Sequence, residues 1–359
     1  MHKLAFLTSL LISSLSLAKS LPAGSLFQEQ TPLQISLSYD ISLLKTSKES
    51  LRNSEQGLQG VVTYGSTSIP VSVTPRGKGS FGCDQPQLKL NFNKSSIPGT
   101  PFTGFKKVKL FTSGICIPNI TDKELDKRVL SNYLIYKLYE EVFPVHYRTR
   151  LAEISYTDTS GKIAPYKQLA FFLEPEDHIE ARLNLHRLEQ EDIDKVKTEI
   201  VGMTDEKYAS LMHAFQFFIG NLDFGVPGFY YHISSSVSFY EKNMHLYQSK
   251  DSGQIIPIGF DWDFSRLLYF GPSCGGVASA FFIGSRSTQM HCEIEKLTAT
   301  YKADFQDFHY QSSVIHYLPN LVNAFATWRE KNKESLNNLG PKYSQGLDAF
   351  INAFAAAFQ

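Results

Sequence analysis

Two acidic residues flank a tryptophan directly after an apolar run, and this is the sharpest chemical motif in the sequence. The segment Asp261-Trp262-Asp263 follows the predicted strand Ile255–Phe260. Neighbouring carboxylates are costly to hold together unless a cation or hydrogen-bond donors offset their charge. A hard divalent cation such as Mg²⁺ takes oxygen ligands of this kind. The motif indicates a metal site, and the alternative is one helix-capping and one solvated aspartate.

A second polar pair stands where a strongly apolar helix is predicted to end. Periodic apolar residues predict this helix over Tyr208–Ile219, and Gly220-Asn221-Leu222-Asp223 follows it. Asp223 is a candidate general base, with Asn221 as the residue that positions it. The alternative is a glycine-terminated helix whose Asn and Asp satisfy free backbone groups.

Positive charge is supplied by a glycine-rich loop and by one lysine in a strand. Residues 75–82 place Arg76 and Lys78 among three glycines, which allow the backbone to approach an anion closely. Lys109 interrupts the apolar strand Val108–Phe111, where a lysine faces solvent unless a phosphate or carboxylate lies opposite. The alternative for the loop is an ordinary turn between two strands.

The elements that must position these residues are mostly β-strands in the first part of the chain. Alternating apolar residues predict a strand from Leu33 and a hairpin over 60–74. Residues 122–142 change to a spacing of three and four, which predicts a helix of five or six turns. Further predicted strands are 88–92, 108–111, 150–156 and 168–173.

Later segments are predicted to be mainly helical. The charged stretch 176–200 favours helix, and the chain from about Ser312 to its end is also predicted to be helical, with two prolines as breaks. Together with the strands before residue 175, this order predicts an α+β fold with a β-rich first part and a helix-rich second part.

Taken in order, these motifs resemble those of the CotH-like (spore coat protein H) family. Its members are spore-coat kinases with an atypical protein-kinase fold. The similar motifs are Arg76-Gly77-x-x-Ser80, the lysine strand at 88–90, Gly220-Asn221-x-Asp223 and Asp261-Trp262-Asp263. Glu174 ends an apolar run as a glutamate does in that family. The resemblance covers about residues 60–270. It is closest to an exported, uncharacterised bacterial branch that has cysteines where Cys83 and Cys116 stand here.

The resemblance implies a protein-kinase-like, two-lobed α+β fold. Its N-terminal lobe would be β-rich with one helix over residues 33–175, and its helix-rich C-terminal lobe would span 176–359. ATP would be the phosphoryl donor and Mg²⁺ the cofactor. The implied roles are catalytic for Asp223, nucleotide-binding for Arg76, Gly77, Ser80, Lys109 and Glu174, and metal-binding for Asp261, Asp263 and Asn243.

The expected function is transfer of phosphate from a nucleotide to a protein or envelope component. In CotH-like chains, a metal-binding Asn follows the catalytic Asp closely. Here the nearest Asn is Asn243, beyond an insertion rich in Tyr, Ser and Phe. This departure keeps open a non-catalytic, pseudokinase-like binding protein of the cell envelope. A third possibility is a metal-dependent hydrolase that uses Asp223 with Asp261 and Asp263.

The N-terminus predicts export to the periplasm or the medium. A short basic start is followed by an apolar run over residues 4–17 and by small residues before a cleavage site after Ala18. Residues 19–32 are predicted to be a loose lead-in. The apolar run is too short to span a bilayer comfortably, and no membrane span is predicted after cleavage. The alternative is an uncleaved anchor or a buried helix.

Composition and cysteine content agree with an exported globular protein. The 35 basic and 35 acidic residues give no net charge, which argues against nucleic acid as a partner. The even number of cysteines favours two disulfides in an oxidising compartment, with free core thiols as the alternative. Three connectivities are possible, and proximity in sequence favours Cys83–Cys116 and Cys274–Cys292.

Overall fold

The computed structural model describes most of the chain between residues 25 and 351. The described residues are 25–52, 54, 56–77, 85–93, 98–112, 122–219, 221, 225–226, 229–230, 243–262, 265, 267, 311–340, 347 and 351. The predicted signal peptide and all four cysteines lie outside this set, as do Ser80, Asp223 and Asp263.

Seven strands form a closed barrel in the order β1-β2-β3-β4-β5-β7-β6. Neighbouring strands are antiparallel except β1 and β6, whose parallel pairing joins the two ends of the sheet. The strands are β1 Leu33–Tyr39, β2 Leu58–Tyr64, β3 Thr67–Arg76, β4 Gln87–Phe92, β5 Lys107–Phe111, β6 Thr149–Asp158 and β7 Tyr166–Leu173.

Side chains alternate between the two faces of each barrel strand, and those on the inner face fill the interior of the barrel. In β5, Val108 and Leu110 are fully buried in this interior, and Leu110 pairs with the equally buried Phe172 of β7. Because successive side chains of a strand point to opposite faces, Lys109 projects from the outer face. It shares that face with Leu173, its partner in β7.

Helices and two small sheets surround the barrel. Strands β12, β11 and β8 form one antiparallel sheet in that order, and β9 pairs with β10. These strands are β8 Leu185–Arg187, β9 Gly225–Val226, β10 Phe229–Tyr230, β11 Met244–Ser249 and β12 Ile255–Gly259. The helices are α1 Ile41–Thr46, α2 Lys48–Arg52, α3 Asp122–Val142, α4 Glu176–Leu183, α5 Gln190–Val196, α6 Ile200–Met203, α7 Glu206–Phe218, α8 Gln311–Lys331 and α9 Lys333–Leu339. None of the helices in the described part is long and apolar enough to cross a membrane.

Helix α3 packs against the outer face of the barrel, and the prediction of a helix over 122–142 is confirmed. Its residues share one hydrophobic core with the outer face of the barrel, α7, α8 and β12. The indole Nε1 of Trp328 in α8 donates a hydrogen bond of 2.9 Å to the carbonyl oxygen of Leu134. Five of the apolar residues that recur at a spacing of three and four in this helix are buried: Leu125, Val129, Tyr133, Leu134 and Leu138.

The predicted protein-kinase-like, two-lobed fold is wrong, although the α+β class is correct. The β-rich part closes into a barrel because β1 pairs with β6 along its whole length, from Leu33 opposite Ala152 to Tyr39 opposite Asp158. The alternating pattern of the sequence predicts strands but does not say which strands pair. The closing pair joins segments more than a hundred residues apart, which local periodicity cannot reveal.

Candidate functional site

A cluster of charged side chains lies where the barrel meets the small sheet of β8, β11 and β12. Lys109 Nζ forms an ion pair with Glu176 Oε1. The guanidinium of Arg187 lies 3.7 Å from the same carboxylate oxygen. Arg76 and His245 interact electrostatically with this group. We call Arg76, Lys109, Glu176, Arg187 and His245 the cationic cluster.

Helix α4 is the element that brings the cluster together. Lys109 of β5 lies opposite Leu173, the last residue of β7, and α4 starts three residues later with Glu176. The helix leads directly into β8, which carries Arg187. Glu180 of α4 fixes this connection by accepting a hydrogen bond of 2.7 Å from the backbone N–H of Arg187. The outward face of the barrel and the start of α4 thus meet at Lys109.

Three cations of the cluster face Glu176, and Glu189, outside the cluster, lies 3.7 Å from Arg187. Burial alone would raise the pKa of Glu176, but Lys109 lowers it to about 2. Burial lowers the pKa of Lys109, and Arg76 and Arg187 lower it further against the opposing effect of Glu176. Burial also lowers the pKa of Arg76. Three cationic side chains thus converge on one carboxylate, an arrangement suited to an anionic ligand.

Arg76 is the member of the cluster best placed to receive such a ligand. Its guanidinium is half-buried, and no hydrogen bond or ion pair joins it to another described residue. It ends β3, and Gly77 follows with a φ of 96°, a conformation that favours glycine. A planar guanidinium with five N–H donors matches the geometry of phosphate and carboxylate.

His245 is a neutral imidazole held from two sides. Its Nδ1 is hydrogen-bonded to the hydroxyl of Tyr147, which lies 3.1 Å from the hydroxyl of Tyr247. Its ring stacks on Phe260 with the ring centroids 4.1 Å apart. Burial, assisted by the positive charges of Arg187 and other members of the cluster, lowers the pKa of His245 to about 3. The ring is therefore uncharged at neutral pH.

Asp261 follows β12, and the burial of its neighbour Trp262 fixes the backbone at this point. Trp262 is fully buried, and its ring would lie 2.2 Å from a Cβ at position 259, so a glycine is required there. Asp261 has a φ of 63°, and its backbone N–H donates to the hydroxyl of Tyr136 at 3.1 Å. Asp261 is close enough to raise the pKa of Arg76, although burial lowers it more. Asp261 thus adjoins the cationic cluster.

Asn243 lies at the same end of the β11–β12 pair as Asp261. Its carbonyl oxygen accepts a hydrogen bond of 3.0 Å from the backbone N–H of Phe260. Carboxylate and amide oxygens are ligands that Mg²⁺ takes, so these two residues fit the implied metal. No group of three or more His, Cys, Asp or Glu side chains forms a metal site within the described ranges.

Glu174 lies outside the cluster, in a different ion pair. Its carboxylate accepts two hydrogen bonds from Arg182, at 3.0 and 2.7 Å, and one of 3.1 Å from the backbone N–H of Arg148. Its side chain is 4% exposed. Glu174 therefore fastens the end of β7 to α4 and to the segment before β6. The carboxylate opposite Lys109 is that of Glu176, not that of Glu174.

The structure brings together five of the predicted site residues and leaves the others apart or outside its described part. Arg76 and Lys109 lie in the cluster, with Asp261 adjoining it; Gly77 directly follows Arg76, and Asn243 lies at the same sheet end as Asp261. Ser80, Asp223 and Asp263 lie outside the described residues. Sequence reasoning missed Glu176, Arg187 and Tyr147. The one signal for Glu176 was its place at the start of the charged stretch 176–200.

Comparisons with known proteins leave the family of this chain open. No family model matches the sequence, and no curated protein shows significant similarity to it. The resemblance to CotH-like proteins therefore depends on short motifs. Two of the residues in those motifs, Arg76 and Asp261, interact with each other, and Arg76 also interacts with Lys109.

Proposed function

We propose that this protein binds a nucleoside triphosphate at the cationic cluster and transfers a phosphoryl group to a protein or envelope component after export. The observation that carries this proposal is the convergence of three cations, Arg76, Lys109 and Arg187, on Glu176 at a half-buried site. A triphosphate would place further negative charge opposite these cations. Phosphoryl transfer depends mainly on positioning and charge neutralisation, which such a cluster provides.

The residues of the cluster have distinct parts in this proposal. Arg76 offers a guanidinium without a hydrogen-bond partner in the described part of the chain, suited to two-point contact with a phosphate. Lys109 supplies a point charge that Glu176 holds in place. Mg²⁺, when bound, would neutralise phosphate charge, and Asp261 and Asn243 are the described residues that would hold it. Asp223 as base and Asp263 as a further ligand stay predictions.

Calorimetric titration of the purified protein with ATP, with and without Mg²⁺, tests nucleotide binding. Lys109→Met should weaken binding at least about tenfold, equivalent to about 1.4 kcal/mol, because it removes a charge that contacts phosphate. Lys331→Met is the matched control, since Lys331 forms an ion pair with Glu141 and its side chain is 60% exposed. Equal affinity in wild type and Lys109→Met, or no binding with any divalent metal, would overturn the proposal.

Binding without transfer is the second candidate function. Glu176 is the carboxylate paired with Lys109, and its pKa of about 2, set by the opposing effects of burial and Lys109, makes it a poor base. A protein that holds a phosphorylated ligand needs no base. ATP binding in calorimetry, combined with no transfer of labelled phosphate to any protein or envelope fraction, would favour this second function.

A further inference from the structure

We propose that Nε2 of His245 is a nucleophile that accepts the phosphoryl group, so that transfer proceeds through a phosphohistidine. This inference rests on the proposed binding of a nucleoside triphosphate and names the first acceptor of its phosphate. Three observations support it: the fixed orientation of the imidazole, the nitrogen that this orientation leaves available, and the cations that surround the ring.

The imidazole of His245 is fixed so that Nε2 is its available nitrogen. The hydroxyl of Tyr147 engages Nδ1, and Phe260 covers a face of the ring. No hydrogen bond from another described residue engages Nε2. A side chain held by a hydrogen bond at one ring nitrogen and open at the other is the arrangement found for nucleophiles and bases oriented by a third group.

The two tyrosine hydroxyls can accommodate the tautomer of His245 that nucleophilic attack requires. The hydroxyl of Tyr147 has one hydrogen, and the hydroxyl of Tyr247 lies 3.1 Å away to accept it. In that polarity the Nδ1–H of His245 donates to the oxygen of Tyr147, and the lone pair resides on Nε2.

The cations of the cluster suit both the attack and its product. Arg187 and Lys109 interact electrostatically with the ring of His245. The same two side chains and Arg76 would neutralise a phosphoryl group attached to the ring. An oriented imidazole and cationic surroundings therefore occur at one place.

The proposed reaction has two balanced steps. The lone pair of Nε2 attacks the terminal phosphorus of the triphosphate, and the bond to the bridging oxygen breaks, leaving its electron pair on the nucleoside diphosphate. The ring becomes an imidazolium whose proton stays on Nδ1 and is donated in a hydrogen bond to the oxygen of Tyr147. An acceptor hydroxyl then attacks the phosphorus, the N–P electron pair returns to Nε2, and the hydroxyl proton passes to water.

Incubation with ATP labelled at the terminal phosphate tests the intermediate. A phosphohistidine is labile in acid and stable in base, whereas phosphate on a serine, threonine or tyrosine survives acid. We expect acid-labile label on the wild-type protein, located at His245 by mass spectrometry of peptides prepared without acid. His245→Gln should lose more than about nine-tenths of this label at an ATP concentration that saturates the variant in calorimetry.

His178→Gln is the matched control, because His178 also stacks on a phenylalanine, Phe105, with ring centroids 4.3 Å apart. It should keep the label. ATP binding without acid-labile label, or label that survives His245→Gln, would overturn this inference and leave the nucleotide site standing. Absence of ATP binding in calorimetry would overturn both. If His245→Gln does not fold, the location of the acid-labile phosphate in the wild-type protein decides alone.

Discussion

Replacing Glu176 with glutamine removes the carboxylate that pairs with Lys109 while keeping the size of the side chain. Glu176 is largely buried, with 14% of its side chain exposed, so water screens the pair only partly. Burial opposes ionisation of this carboxyl, and the attraction of Lys109 outweighs it. The pair should therefore make the stability of the protein depend on pH in the acid range.

The size of this dependence follows from the pKa of Glu176, where Lys109 overcomes the effect of burial and lowers it from 4.5 to about 2. Each pKa unit corresponds to about 1.4 kcal/mol, so the ionised carboxylate contributes about 3 kcal/mol. Because the folded pKa is depressed, this contribution is complete above about pH 5 and is lost as pH falls through 2. At about pH 3, roughly 2 kcal/mol of it is gone.

Urea denaturation of wild type and Glu176→Gln at about pH 7 and pH 3 measures the contribution. Wild type should lose about 2 kcal/mol more than the variant between these conditions, since the other carboxylates titrate in both proteins. The difference between the proteins at neutral pH should be smaller than 3 kcal/mol, because burial lowers the pKa of Lys109 and offsets part of the gain.

Glu141→Gln is the control, because it makes the same chemical change in the exposed ion pair with Lys331. Such pairs contribute about 0–1 kcal/mol, so this variant should follow the wild-type pH dependence. If wild type and Glu176→Gln lose the same free energy of unfolding between about pH 7 and pH 3, the reasoning is refuted. Glu176 would then have the same pKa in the folded and unfolded states.

Three further results are expected. Glu174→Gln should cost about 3–5 kcal/mol in urea denaturation, because Arg182 loses its buried partner; its ATP affinity should not change, and a tenfold loss would place Glu174 in the ligand site. Leu134→Ala should lower the free energy of unfolding by about 2–4 kcal/mol, since the side chain is fully buried. A change under about 0.5 kcal/mol would contradict this burial. A non-reduced digest should yield a Cys83–Cys116 peptide pair, whereas free thiols at both positions in native protein would exclude it.

Local periodicity was sufficient for elements whose buried face repeats regularly. The strand predicted from Leu33 and the helix predicted over 122–142 occur as β1 Leu33–Tyr39 and α3 Asp122–Val142. Burial alternates along β1, whereas α3 is buried on every side over residues 128–136, and in both the spacing of the apolar residues was enough to identify the element. The charged stretch 176–200 was harder, because the short strand β8 interrupts its helices and is recognisable mainly by its pairing with β11.

In the candidate site, too, the sequence indicated some residues and the tertiary structure decided which of them meet. The sequence indicated Arg76, Lys109 and Asp261 as chemical residues from their types and neighbours, and the structure brings all three together. It indicated Glu174 and missed Glu176, which stands two residues later. Glu174 turns to Arg182, and Glu176, as the first residue of α4, reaches Lys109.

The sequence by itself determined the α+β class, the helix α3 and most of the barrel strands, because each depends on which residues recur at a fixed local spacing. Only the tertiary structure decided that the strands close through β1 and β6 and that Arg187 and His245 join Lys109. These contacts connect residues from about 80 to 140 positions apart. Their formation depends on strand order and register, which no local pattern of side chains specifies.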